Sequence, residues 1–103
     1  MTEKTVLVPV ADGSEDIETV SVIDVLRRAE INVVVASVMK RLQVRLARGC
    51  QLVCDVLIED IVGGNFDMIV LPGGMPGASN LRECTPLANM LKKQKQQEKW
   101  YIP

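Results

Sequence analysis

Short apolar runs alternate with mixed polar and apolar stretches along most of the chain. Residues 6–10, 31–37 and 68–71 are apolar runs of strand length that are rich in β-branched side chains. Such runs are typical of strands that are buried on both faces of a parallel sheet. Between the first two runs, Ser14 is a candidate N-cap for a helix that reaches about Ala29. The pattern predicts an α/β fold in which the three runs are neighbouring parallel strands.

The remaining segments predict smaller elements. Residues 41–56 are more polar and predict a pair of short strands at the sheet edge, and residues 58–62 predict a helical turn. Thr85 and Pro86 predict the N-cap and first residue of a helix that ends near Glu98. Trp100 opens an apolar stretch that predicts one more strand. The 14–29 helix is apolar around much of its circumference, so we expect it to be buried on two sides.

Composition narrows the possible functions. The net charge of −1 gives no reason to expect a nucleic-acid partner, and no apolar run approaches the roughly 20 residues that span a bilayer, so no membrane partner is expected. The chain has no histidine, which excludes Ser-His-Asp, Cys-His and His-based metal sites built from this chain alone. We expect no metal and no cofactor.

The three cysteines are an odd number and do not form a disulfide framework, so a reducing cytoplasm is the expected location. Cys50 and Cys54 are four residues apart, which on one strand places both on the same face. Packing explains that pair better than a metal site, because no second cysteine pair is present. Cys84 lies near a predicted helix start but follows Glu83, and we interpret it as a surface or packing residue.

A glycine-rich loop follows the third apolar run. Residues 66–81, FDMIVLPGGMPGASNL, place Gly73 and Gly74 at the carboxyl end of a predicted buried strand. Adjacent glycines allow a sharp turn and present bare backbone N–H groups. This edge of an open α/β sheet is where ligands usually bind. A plain strand-to-helix turn is the alternative.

Two motifs together resemble a known superfamily. The strand VLVPV followed by ADGSEDIETV, combined with LPGGMPGASNL, resembles the ThiJ/PfpI superfamily, and within it the Parkinson-disease-associated protein deglycase group. The resemblance also includes IDVLRRA, INVVVAS and IED, and so extends over essentially the whole chain. It implies a three-layer α/β sandwich with a flavodoxin-like parallel sheet, the N-terminal portion of a glutamine-amidotransferase-like domain.

The resemblance also implies a catalytic site and an incomplete domain. Glu18 matches the acidic residue that hydrogen-bonds the family's nucleophilic cysteine, and Gly73 and Gly74 match backbone donors to an oxyanion. We expect Glu18 to be protonated beside the thiolate and to shuttle a proton, although a plain first-turn helix carboxylate is the alternative. The family's cysteine elbow would lie just beyond Pro103. We therefore expect residues 1–103 to form a single incomplete domain, inactive alone and joined by a complementary C-terminal fragment.

Relatives of this superfamily pair as two-fold dimers. The resemblance places Ile17 and Val20 at a homodimer interface, with Arg28 and Arg48 near its rim. Ordinary solvated arginines are the alternative for the last two residues.

Three classes of function stay open. The first is an enzyme acting on reactive dicarbonyls or glycated substrates, a glyoxalase or protein deglycase with a role in oxidative stress. The second is a cysteine-based redox sensor or chaperone without significant turnover. The third is a non-catalytic flavodoxin-like module, for example a phospho-receiver built on Asp12, Glu15 and Asp16, for which Asp55 and the Lys92 cluster are poor matches.

Overall fold

A five-stranded parallel sheet forms the centre of the protein. The structure is a computed structural model that describes residues 3–102. The strand order in the main sheet is β5-β2-β1-β6-β7, and every neighbouring pair is parallel. The strands are β1 (Thr5–Val10), β2 (Asn32–Ser37), β5 (Val56–Leu57), β6 (Met68–Val70) and β7 (Trp100–Ile102). The prediction that the three long apolar runs are neighbouring parallel strands is confirmed.

Helices cover both faces of this sheet. They are α1 (Asp16–Arg28), α2 (Gly77–Arg82) and α3 (Thr85–Gln96), with a 3₁₀ turn at Ile58–Ile61. Side chains of β1 alternate between the two faces, as the strand period requires. Val6, Val8 and Val10 pack in one apolar cluster with Ile23 of α1. Leu7 packs on the opposite face in a second cluster that includes residues of α2 and α3, which gives three layers.

A small antiparallel hairpin packs beside α1. Its strands are β3 (Gln43–Arg45) and β4 (Gln51–Val53), which form a separate two-stranded sheet. Val44 and Leu46 are buried in the same cluster as Ile23. The predicted pair of short strands is therefore present, but Val56, which the prediction included in it, belongs to the main sheet.

Two local predictions were wrong in detail, and one short element was missed. The N-cap of α1 is Glu15, whose carboxylate accepts a hydrogen bond from the Glu18 N–H, because the Ser14 hydroxyl is already accepting from the Ala11 N–H. Helix α3 starts at Thr85 with Cys84 as its cap residue and ends at Gln96 rather than near Glu98. The short helix α2 had not been predicted as a separate element.

Helix α1 is buried on one side only within this chain. Ile23 is buried, whereas Ile17, Val20 and Val25 are 74%, 48% and 61% exposed. The expected second buried side is thus an exposed apolar face. None of the helices within residues 3–102 combines the length and apolar character that crossing a bilayer requires.

Candidate functional site

Two loops meet at the carboxyl edge of the sheet. The first follows β1 and leads into α1, and the second follows β6 and leads into α2. They touch through their backbones, since the Glu15 N–H donates to the Gly73 carbonyl at 2.9 Å. Because the strands are neighbours and parallel, their carboxyl ends open at the same edge, where a flavodoxin-like sheet binds ligands.

Glu18 is fixed at this meeting point. Its Oε1 accepts a hydrogen bond from the Gly73 N–H at 3.0 Å, and the side chain remains open to solvent. The carboxylate lies directly against the glycine, since a Cβ atom at Gly73 would be 3.0 Å from Oε1 and 3.6 Å from Oε2. The structure therefore brings together two of the residues that the sequence singled out, although they are 55 positions apart in the chain.

Gly74 differs from Gly73 in what its backbone N–H does. Within residues 3–102, the Gly73 N–H is engaged by Glu18, whereas the Gly74 N–H has no hydrogen-bond acceptor. Gly74 has a φ of +94°, which L side chains rarely adopt, and a Cβ there would be 2.7 Å from the Glu15 nitrogen. The two backbone N–H groups therefore differ: the Gly73 N–H is bonded to the Glu18 carboxylate, and the Gly74 N–H has no acceptor among the described residues.

The other acidic residues of the first loop are occupied by the hairpin. Asp12 accepts hydrogen bonds from the Arg45 N–H at 3.0 Å and from the Arg41 guanidinium. Burial acts to raise the pKa of Asp12, but these bonds outweigh burial and hold the pKa below its ordinary value. Asp12 therefore anchors the hairpin and is not part of an open acidic pocket.

Asp16, the first residue of α1, also anchors the hairpin segment. Its two carboxylate oxygens accept from the Arg48 N–H at 2.7 Å and the Cys50 N–H at 3.2 Å. Burial again opposes ionisation, and the hydrogen bonds from Arg48 and Cys50 lower the pKa of Asp16. Since Glu15 caps α1, all three acids of the phospho-receiver alternative are already engaged, and that alternative finds no support in the geometry.

A largely apolar cavity of about 350 Å³ opens beside Gly73, between the end of β6 and helices α2 and α3. A single charged residue, Arg82, lies among its lining side chains. Its walls are formed by Leu71, Pro72, Gly73, Ala78, Leu81, Arg82, Leu87 and Leu91. Within residues 3–102, no group of three or more His, Cys, Asp or Glu side chains is placed to hold a metal ion.

Comparison with known proteins decides the family. A model of the DJ-1/PfpI family matches residues 4–102. The chain belongs to the DJ-1/PfpI family.

Individual relatives match nearly all of this DJ-1/PfpI chain but only part of their own length. Protein DJ-1 homolog A of Arabidopsis thaliana is 46% identical over 96 residues, which are 93% of this chain and 24% of that protein. The glutathione-independent glyoxalase DJR-1.2 of Caenorhabditis elegans is 38% identical over 89 residues, which are 86% of this chain and 46% of that protein. The structure of oxidized Toxoplasma gondii DJ-1 superimposes with a TM-score of 0.94 at 49% identity, over 95% of this chain and 53% of that one.

The three cysteines of this DJ-1/PfpI chain lie in different environments. Cys50 is exposed and Cys54 is buried, so the expectation that they share one face of a strand was wrong. They flank the three-residue strand β4 instead of lying within it. The neighbouring Asp16 carboxylate raises the pKa of Cys50, and burial raises the pKa of Cys54 to about 11. Among the described residues, Glu18 has no hydrogen bond to any cysteine.

Thiol labelling should separate these two cysteines. A pKa of about 11 leaves Cys54 about 100-fold less thiolate at neutral pH than an ordinary cysteine, and burial also blocks the reagent. We therefore expect a disulfide reagent to label Cys50 in the folded protein while Cys54 stays protected, as read by mass spectrometry of digested samples. Labelling in denaturant is the control, in which both should react. Equal rates in the folded protein would contradict the assigned burial.

The predicted interface residues lie on the surface. Ile17 and Val20 belong to the exposed apolar face of α1. Arg28 donates to Asp24 one turn earlier in the same helix, in an exposed ion pair of 2.9 Å. Arg48 is exposed, and its backbone N–H is held by Asp16.

Sequence reasoning missed the residues that hold the two loops and the hairpin in place. Asp12 and Asp16 were not predicted to anchor the hairpin, and their spacing gave no indication that backbone N–H groups more than 30 positions away would bind them. Asn80, whose side chain donates to the Asp12 carbonyl at 2.9 Å, carried no signal in the sequence.

Proposed function

We propose that the complete protein acts on reactive dicarbonyls or glycated substrates, as a glyoxalase or protein deglycase that protects against oxidative stress. The observation that carries this proposal is the Glu18 carboxylate held on the Gly73 N–H, next to the unoccupied N–H of Gly74. A fixed carboxyl group can move a proton, and a free backbone donor can stabilise an oxyanion. The name of the C. elegans relative, a glutathione-independent glyoxalase, is consistent with this chemistry.

The reaction needs a nucleophile, for which we propose a cysteine in a downstream segment of the family domain. For methylglyoxal, the thiol adds to the aldehyde carbon, forming a C–S bond, and its proton goes to the aldehyde oxygen. Glu18 then takes the proton from this carbon and delivers it to the neighbouring carbonyl carbon, while the hydroxyl proton passes to the neighbouring carbonyl oxygen, so that the hemithioacetal becomes a 2-hydroxy thioester through an enediol. Water cleaves the C–S bond and releases lactate and the thiol, so that methylglyoxal and water become lactate. The Gly74 N–H would stabilise the oxygen anion that develops.

Two features support a downstream partner segment. This chain spans about half of the C. elegans relative and a quarter of the Arabidopsis one. In addition, Trp100, Tyr101 and Ile102 of β7 are 71%, 43% and 43% exposed. Exposed apolar surface of this kind normally packs against another element. We propose that a C-terminal segment, continuous or as a complementary fragment, covers β7 and supplies the nucleophile.

The test compares residues 1–103 alone with the complete protein. We expect lactate from methylglyoxal only in the complete protein, because a catalytic group that acts with others is of little use without them. Proton NMR of the reaction mixture detects lactate directly, and the intact mass of each sample verifies which polypeptides are present. Turnover by the isolated 11.4 kDa chain would contradict the proposed site.

A redox-sensing role is the second candidate. The same two groups, the Glu18 carboxyl and the Gly74 N–H, could hydrogen-bond the oxygens of an oxidised cysteine. A complete protein that forms a stable sulfinate but yields no lactate would favour this role. We place either activity in the cytoplasm, since three free cysteines fit a reducing compartment. No nucleic-acid or membrane partner is proposed.

We also propose a homodimer through α1. Ile17 and Val20 form an exposed apolar face one turn long, and Arg28 lies further along the helix. An apolar patch with charged residues near its edge is typical of a protein interface. A two-fold axis near this patch would place α1 against its own copy.

A charge on this face should dissociate the dimer. We expect Val20→Lys to shift the complete protein to a monomer at micromolar concentration in analytical ultracentrifugation, because an unpaired buried charge costs several kcal/mol. Val62→Lys is the matched control, since Val62 is 46% exposed and Val20 48%, and Val62 lies outside α1. A dimer that survives Val20→Lys, or a wild-type monomer, would refute this assembly.

A further inference from the structure

The two loops of the site are linked by few side chains. Besides the Glu15–Gly73 backbone bond and Glu18 itself, the described residues provide one hydrogen bond between them, from the Asn80 side-chain Nδ2 to the Asp12 carbonyl at 2.9 Å. Asn80 lies within α2, directly downstream of the loop that contains Gly73. Asp12 lies directly upstream of the helix that carries Glu18.

The hydrogen bond from Asn80 to Asp12 joins a fixed acceptor to a short helix whose position depends on tertiary contacts. The Asp12 carboxylate is held by Arg41 and by the Arg45 N–H, so its carbonyl is a fixed acceptor. Helix α2 has only six residues and no side-chain hydrogen bond at its N-cap. A helix this short is not stable by itself and takes its position from tertiary contacts. The polar contact that ties α2 to the first loop is made by Asn80.

Small displacements at this site have a large consequence. The Glu18–Gly73 hydrogen bond is 3.0 Å long, and a shift of about 1 Å between the loops would break it. Asn80 is half-buried, so its amide is shielded from water without being part of the apolar core. The Asn80–Asp12 hydrogen bond is therefore suited to holding the two loops at a fixed distance, although it contributes only about 1 kcal/mol to the free energy of folding.

We propose that Asn80 is a positioning residue that, together with the backbone contacts between the loops, holds Glu18 and Gly73 at their observed distance through the Asp12 carbonyl. This inference deepens the proposed function and rests on it where activity is concerned. Asn80 does not contact the reacting atoms. Its loss should lower turnover while leaving substrate binding largely intact, because the carboxyl group would no longer be held where it transfers the proton.

The experiment uses Asn80→Ala and the nearly isosteric Asn80→Asp, which lacks the N–H donor, in the complete protein. Asn89→Ala is the matched control, because Asn89 is exposed on α3 and has no side-chain hydrogen bond among the described residues. Hydrogen exchange of the Gly73 amide, measured by NMR, reports directly on the Glu18 bond. We expect about tenfold faster exchange in both Asn80 variants, and kcat on methylglyoxal reduced about 10-fold with KM changed less than about twofold.

Two readouts keep this test separate from the proposed function. If the complete protein has no dicarbonyl activity, the proposed function fails, and Gly73 exchange alone still decides the role of Asn80. Gly73 exchange at the wild-type rate in either folded Asn80 variant would overturn the inference. Accelerated exchange in the Asn89→Ala control to the same extent would overturn it as well.

Discussion

Replacing Gly77, the first residue of α2, with alanine should strongly destabilise the protein. Gly77 is buried, and a Cβ atom there would lie 2.4 Å from the Ser14 backbone nitrogen and 2.6 Å from the Gly13 carbonyl carbon. Backbone atoms cannot rotate away as a flexible side chain can, so the two loops must separate. We expect a loss of about 3 kcal/mol in the free energy of unfolding, at the upper end of the usual cost of overpacking.

Urea denaturation of the complete protein measures this loss. Gly63→Ala is the matched control, because a Cβ at Gly63 would meet no atom within 4 Å, and its effect should stay within about 0.5 kcal/mol. If Gly77→Ala unfolds the protein outright, its soluble yield relative to Gly63→Ala gives the same ranking. Equal stabilities of the two variants would show that the loops do not pack as closely as described.

Glu18→Gln should abolish most of the dicarbonyl activity without changing the fold. The glutamine carbonyl can still accept the 3.0 Å hydrogen bond from the Gly73 N–H, so the geometry should survive. An amide cannot carry a proton as a carboxyl group does, and loss of a general acid-base typically costs about 10²–10⁴ in rate. We therefore expect kcat for lactate formation to fall by about that factor while the melting temperature stays nearly unchanged.

Two further variants make the result specific. Glu18→Ala should lose the same activity and also free the Gly73 N–H, which faster amide exchange would report. Glu59→Gln removes an exposed carboxylate in the 3₁₀ turn and should leave activity at the wild-type level. Full activity in Glu18→Gln would exclude Glu18 as the proton carrier, even though it binds Gly73.

The central sheet could be predicted because the apolar pattern that marks each strand lies within a short segment of the sequence. The valines of β1 and β2 and the apolar residues of β6 are typical of buried strands, and the helix between β1 and β2 favours parallel pairing of those two strands. The excess of apolar residues on α1 was also visible in the sequence, whereas only the structure shows that Ile17 and Val20 lie exposed within the described residues. A pattern of this kind says which residues need an apolar contact but not which partner provides it.

Polar partners were harder to predict, because local competition and distant backbone groups decide them. Ser14 was a good candidate for the helix cap, yet its hydroxyl serves the Ala11 N–H and Glu15 caps the helix. Cys50 and Cys54 fit one face of a longer strand, but the turns at either end of β4 expose one thiol and bury the other.

The sequence by itself determined the parallel sheet and the glycine turn at its carboxyl edge, and a specific resemblance singled out Glu18, Gly73 and Gly74 as candidate site residues. The tertiary structure decided that Gly73 holds Glu18 while the Gly74 N–H stays unoccupied, and that Asn80 ties the two loops together. The physical reason is the sequence separation of the groups that interact. Apolar burial follows from the order of residues along a strand or helix, whereas a hydrogen bond exists only when two groups, here 55 or 68 positions apart, are brought within about 3 Å.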